Sequence, residues 1–155
     1  MEDIFSPDAV FNEYSDMVYR LAFARVKNKY DAEDILQETF VRFMKCKNKP
    51  TDSEHTKALL IKITVNCSKS LLTSAWFKKT APIDENIPYE MKGSDTLSAV
   101  LSLPLKYRTV IHLHYYCGFS VNEISDILSS KPSTVKSRLL RARGLLKNKL
   151  EGVEF

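Results

Sequence analysis

Residues 120–146 read SVNEISDILSSKPSTVKSRLLRARGLL, and the fold of the chain turns on this stretch. Ser120 is a helix N-cap, and Glu123 stands three residues later, where it completes a reciprocal capping box. Ile124, Ile127 and Leu128 follow at helical spacing. Ser129, Ser130 and Lys131 interrupt the pattern. Pro132 then suits a first helical turn, where its missing N–H costs nothing. The second helix turns Val135, Leu139, Ala142 and Leu146 inward. Ser133, Thr134, Lys136, Ser137, Arg138, Arg141 and Arg143 are left outside. A short helix, a turn and a basic, hydroxyl-rich second helix form the helix-turn-helix pattern, whose second helix enters the major groove of DNA.

A helical hairpin with a basic face can also be plain solvated surface, so the pattern alone leaves both readings open. Charge favours DNA. From Ser120 to Leu150 there are seven cations, Lys131, Lys136, Arg138, Arg141, Arg143, Lys147 and Lys149, against two anions, Glu123 and Asp126. The five net positive charges sit at or after the turn, the footprint of phosphate neutralisation.

The rest of the composition narrows the class. The 155 residues are 44% hydrophobic and 27% charged, with 4 glycines and 6 prolines and a net charge of +4. That balance belongs to a globular, helix-rich chain rather than a disordered or turn-rich β one. No run shows the β-branched alternation of strands. Cys46, Cys67 and Cys117 are far apart and form no CxxC pair, so neither a metal site nor a disulfide framework is expected. A reducing cytoplasm follows. Met1 to Phe5 carries two acids and no apolar run, so no secretory signal is expected there. Lys62, Asn66 and Lys69 break the most apolar helix and argue against a membrane span.

Ser6-Pro7-Asp8 starts a first helix, with Val10, Phe11, Tyr14, Val18, Leu21, Ala22 and Val26 at helical spacing. After a turn at Lys27–Tyr30, Asp31 is expected to cap a second helix with a core stripe of Ile35, Leu36, Thr39, Phe40 and Phe43. At about 100° per residue, Asp34, Gln37, Glu38, Val41 and Lys45 share the opposite face. Acid near a helix N-terminus often only offsets the dipole. A valine on that face leans towards a partner surface.

A third helix runs from about Ser53 to about Trp76 and is apolar almost all round, as a helix buried between neighbours is. Lys62, Asn66, Lys69 and Thr73 leave one polar strip. It is either the edge that keeps the helix wetted or a track for a nucleic-acid strand, with Asn66 able both to donate to and accept from a base. Trp76, Phe77, Lys78 and Lys79 make an aromatic–basic cluster able to stack bases and bind phosphate, or to close the core. From Phe77 to Asp95 the helical period is lost, and Pro82, Pro88 and Gly93 punctuate the chain. So long a stretch marks a domain boundary. Beyond it, Ser94 or Asp95 caps a short helix with Leu97, Val100 and Leu101. Pro104 to Tyr116 forms another, with Leu105, Val110, Ile111 and Leu113 inward and Gly118 as its C-cap. The helix-turn-helix completes a four-helix domain. The expected fold is all-α: two small helical domains, residues 1–78 and 95–150, joined by a flexible linker over 79–94.

Two separated blocks together resemble one family. Asp31-Ala-Glu-Asp-Ile-Leu-Gln-Glu-Thr-Phe40 is similar to the DAEDLvQETF block of bacterial sigma factors. Leu103-Pro104 through Leu139, with Ser133-Thr-Val-Lys-Ser-Arg-Leu139, resembles their C-terminal promoter-binding domain. Order, spacing and length match the extracytoplasmic-function class (group 4), and the resemblance covers residues 8 to 150. It implies a non-enzymatic factor, without cofactor, metal or catalytic residue, that gives core RNA polymerase its promoter specificity in the cytoplasm. It also implies an anti-sigma factor as a further partner.

Residue by residue, the resemblance puts polymerase docking on Asp34, Gln37 and Glu38, with Val41 on the same face. It puts capture of the single-stranded −10 element on the third helix, where Lys62, Asn66, Lys69 and Trp76 are the candidates. It puts −35 duplex reading on Ser133, Thr134, Lys136, Ser137, Arg138 and Arg141. The family's third helix usually reads near W-L-Y-R-I-A-R-N; here Leu59-Leu-Ile-Lys-Ile-Thr-Val-Asn66 keeps the asparagine and loses the aromatics. The usual Leu-Gly-Val turn becomes Leu128-Ser129-Ser130, which asks a serine to take a geometry glycine takes more easily. The alternative function is a helix-turn-helix regulator acting without polymerase, which would need a dimer to read two half-sites. An enzyme is not expected: His112 and His114 diverge on a helix, and His55 is alone on a polar edge.

Overall fold

A computed structural model of the chain describes residues 6–73 and 95–153. Every regular element among them is helical. The chain divides into two compact units, Met1–Ile83 and Asp84–Phe155. The 79–94 stretch, Trp76 and the candidate cap Ser94 lie outside the described residues.

The first unit packs α1 (Pro7–Val26), α2 (Lys29–Lys45) and α3 (Ser53–Leu72) each against the other two. Ser6 caps α1 by accepting from the Ala9 N–H at 3.2 Å, with Pro7 in the first turn, as the sequence predicts. Lys27 ends α1 in the left-handed region (φ 56°). The cap of α2 is Asn28 rather than Asp31. Asn28 has extended backbone, and its side-chain carbonyl accepts from the Asp31 N–H at 2.9 Å. Asparagine caps as well as aspartate does, and the left-handed Lys27 shortens the connection, so the helix begins three residues earlier than expected.

Val10, Val18, Phe40, Phe43 and Leu60 form a core cluster, with Tyr14, Met17, Leu36, Leu59 and Ile63 packed around it. Each fully buried side chain of this size contributes about 1.5–3 kcal/mol. Phe11, placed at helical spacing with these residues, is 43% exposed and meets Phe40 edge-on at 4.9 Å. Asp52 caps α3, accepting from the His55 N–H at 3.3 Å. The described part of the helix runs to Leu72, and the Thr73 hydroxyl donates back to the Lys69 carbonyl; the expected end near Trp76 lies outside the described residues.

The second unit is built on α7 (Pro132–Val153). It packs against α4 (Asp95–Leu101), α5 (Leu105–Ile111) and α6 (Val121–Leu128). Val135, Leu139 and Ala142 are buried as expected, while Leu146 is only half-buried. The Ser120–Glu123 capping box of α6 is present in both directions, at 3.1 and 2.9 Å.

One local geometry departs from the sequence reading, and a second is the one it anticipated. The helix expected over Pro104–Tyr116 is α only to Ile111. It then widens into a single π turn over His112–Tyr116, in which the Cys117 N–H reaches the His112 carbonyl at 3.1 Å. The cap is Cys117, and Gly118 takes the left-handed position just beyond it (φ 78°). The Phe119 N–H then bonds the Leu113 carbonyl, and the Phe119 carbonyl bonds His114 Nδ1, which ties the widened turn shut. In the hairpin turn, Ser129 occupies the left-handed region (φ 53°). The Ser130 N–H returns to the Ser125 carbonyl at 3.0 Å, and the Ser125 hydroxyl donates to the Ser130 carbonyl.

Candidate nucleic-acid and polymerase interfaces

On α7 the helical period sorts the exposed side chains into three rows. Ser133, Ser137, Leu140, Gly144 and Asn148 recur at spacings of four, three, four and four along the centre of the exposed face. None is charged. Lys136, Arg143 and Lys147 run along one side of that strip, and Arg138 and Arg141 along the other. A helix lying in a groove needs this arrangement: short uncharged side chains towards base edges and cations towards the phosphates on either bank. Of the six residues expected to bind duplex, Ser133, Lys136, Ser137 and Arg141 are exposed, and Thr134 and Arg138 are half-buried. Arg138 therefore does not stand fully outside as expected. Its helical angle sets it beside the buried stripe of Val135, Leu139 and Ala142.

Leu140 is the most exposed of the large apolar side chains, at 71%. Sequence reading passed over it because an apolar residue beside Leu139 looks like part of the core stripe. Its angle around the helix, four residues from Lys136 and Gly144, places it in the central uncharged row.

In the first unit, Asp34, Gln37, Glu38, Val41 and Lys45 are all exposed along α2, as the periodicity predicts. Glu38 is held by Arg42, whose Nε lies 2.9 Å from Oε1. Asp31, in the first turn, has its carboxyl pushed above the usual range by burial and then by the neighbouring Asp34 charge. Tyr30 and Met44 are exposed on this face too. They were missed because each lies at an end of the acidic block; the signal was their spacing of four residues before Asp34 and three after Val41. Along α3, Lys62, Asn66, Lys69 and Thr73 form one continuous exposed strip. Of the four candidates for the single strand, three therefore share a face, and Trp76 lies outside the described residues.

The three cysteines are free thiols, and burial pushes the Cys67 thiol up. Among the described residues no helix is long and apolar enough to cross a membrane.

A helix-turn-helix unit with a cationic exposed face, together with a separate three-helix unit in the same chain, defines the class of two-domain helical DNA-binding proteins. Comparison with known proteins sharpens this. Residues 10–78 match the family model "Sigma-70 region 2" and residues 95–146 match "Sigma-70, region 4". RNA polymerase sigma factor SigV of Bacillus subtilis is 34% identical over 140 residues, spanning 85% of this chain and 83% of that protein. The ECF RNA polymerase sigma factor SigW of the same organism is 29% identical over 164 residues, covering 88% and 84%. Among solved structures, the sigma factor RpoE of Bartonella quintana, crystallised with the anti-sigma factor NepR, superposes with a TM-score of 0.76. It is 22% identical and covers 93% of this chain and 96% of that one, a likeness of fold.

The chain belongs to the sigma-70 family of RNA polymerase sigma factors. It is a promoter-specificity factor for transcription initiation. The match of residues 10–78 to region 2 leaves no support for a regulator working apart from polymerase.

Proposed function

We propose that this chain is a group 4, extracytoplasmic-function sigma factor that works in the cytoplasm and performs no chemistry of its own. Its two regions and its likeness to SigV and SigW support this assignment. Residues 1–78 would act as the polymerase and −10 domain, 79–94 as the linker and 95–150 as the −35 domain.

The observation that carries the reading is the sorting of α7 into an uncharged strip between cationic rows. Ser137 and its neighbours face base edges, while Lys136, Arg138 and Arg141 neutralise phosphates or take bidentate contacts on guanine. In the first unit, Asp34, Gln37, Glu38 and Val41 dock on the polymerase, and the strip of Lys62, Asn66 and Lys69, with Trp76, holds the unpaired −10 strand. Each captured base stabilises the melted state by about 1–3 kcal/mol, the range of stacking sites. Binding of either promoter element raises the effective concentration of the other domain at its own site.

An anti-sigma factor is the natural regulator. Solved structures of similar fold carry protein partners: the anti-sigma factor NepR on RpoE, and the cytosolic domain of CnrY on CnrH. Run-off transcription by core polymerase plus this chain, on a randomised promoter library, tests the reading. Selected promoters should share two conserved elements. A library that yields no enriched upstream element would reject the −35 role of α7.

A further inference from the structure

The π turn after α5 brings Tyr115 against α7. Arg143 Nε donates to the Tyr115 hydroxyl oxygen at 2.6 Å, and the guanidinium carbon stands 5.6 Å from the centre of the Tyr115 ring. His114, fixed by its bond to the Phe119 carbonyl, packs edge-on against the same ring at 4.8 Å. Tyr115 is 55% exposed and Arg143 is exposed as well. An exposed contact of this kind adds little to folding stability. It does fix a side chain that otherwise samples many rotamers.

We propose that Tyr115 is a positioning residue for promoter duplex: it holds Arg143 as a preorganised phosphate clamp on the Lys136 side of the recognition helix. The inference rests on the assignment of α7 to the duplex. Three features support it. With Nε engaged by the phenol, the two terminal nitrogens of Arg143 remain as a donor fork, the geometry that binds a phosphate in two-pronged fashion. Arg143 lies seven residues from Lys136 and four from Lys147, so the clamp belongs to the cationic row facing one bank of the groove. Arg141, across the uncharged strip, faces the other bank, and the helix is gripped from both strands. The phenol acts through the arginine and contacts no DNA in this account.

The test uses the full-length chain assembled with core polymerase on a duplex carrying its selected −35 element, over a salt series. Arg143→Ala should weaken binding about 5- to 20-fold and lower the slope of log affinity against log salt by about one, uniformly across sequences. Tyr115→Phe keeps the ring and removes the acceptor. It should weaken binding about 3-fold, the effect of freeing one rotamer-rich side chain, with an unchanged slope and an unchanged melting temperature. In an Arg143→Ala background it should do nothing. Replacing single phosphates by neutral methylphosphonates should identify one position that matters to the parent chain and not to Arg143→Ala.

An unchanged salt slope in Arg143→Ala overturns the clamp. So does an equal effect of Tyr115→Phe in both backgrounds, or a loss of melting temperature that accounts for its loss of affinity. Arg138→Ala with Arg141→Ala is the reference. If that pair also leaves duplex binding intact, the recognition-helix assignment itself has failed, and the clamp falls with it.

Discussion

Arg25 Nε lies 2.6 Å from Ser68 Oγ, with both side chains buried between α1 and α3. The Ser68 hydroxyl in turn donates to the Val65 carbonyl at 2.8 Å, so its lone pair is turned towards the guanidinium. This bond crosses 43 residues of sequence and fixes α3 on α1 between Asn66 and Lys69, two of the strip residues. A hydrogen bond to a buried charged group carries more free energy than a neutral one. Ser68→Ala should therefore cost about 2 kcal/mol in urea unfolding of the chain. A loss near zero would mean that the guanidinium is satisfied without the hydroxyl.

The hairpin turn stores a small strain. Ser129 sits at φ 53°, where a β-carbon is disfavoured and glycine is not. Ser129→Gly should raise stability by about 0.5–1 kcal/mol, the left-handed penalty less the added freedom of the unfolded chain. Ser129→Val should lower it. Denaturation midpoints of the two variants check this, and a glycine variant less stable than the parent would contradict it.

How far these sites were visible in the residues depends on the range of the force that makes them. The exposure of Asp34, Gln37, Glu38 and Val41, the polar strip of α3 and the Ser120–Glu123 box all follow from helical period or from partners within four residues. So they were legible. The turn at Leu128-Ser129-Ser130 could be recognised as an awkward place for serine. The cap at Asn28 was misplaced because Asn28 and Asp31 are equally good caps, and only the end of α1 decides between them. The π turn and the Tyr115–Arg143 contact were not legible. The contact joins residues 28 apart, and the widened turn is closed by bonds to residues beyond the helix.

The cap of α3 carries a pH signature. His55 Nδ1 lies 2.7 Å from Asp52 Oδ2. The bond to Asp52 holds the His55 pKa above its ordinary value and the Asp52 pKa below its own. The histidine's contribution is complete below about 6.5, the pKa of an unfolded chain, and is lost as pH rises through the higher folded value. The aspartate's contribution is present above about 3.9 and is lost on acidification below it. The melting-temperature difference between the parent and His55→Ala should thus be largest between about pH 4 and 6.5. It should fade at higher pH. A difference that does not fade as the pH rises above about 6.5 would show that the ion pair does not contribute.

The polymerase face and the duplex face should be separable by mutation. Asp34→Ala with Gln37→Ala alters two exposed side chains on α2. It should weaken binding to core polymerase, measured with immobilised polymerase, while the melting temperature stays within about 1 °C, since surface changes shift stability little. A large fall in melting temperature would make those side chains structural.

The most direct measurement adds the purified chain to sigma-free core polymerase on a template bearing its selected promoter and maps the transcript 5′ ends. The account predicts one defined start with the parent chain. It predicts no start with Arg138→Ala plus Arg141→Ala, although that variant still binds polymerase. A start that persists undiminished in the double variant, or none with the parent on any template, would contradict it.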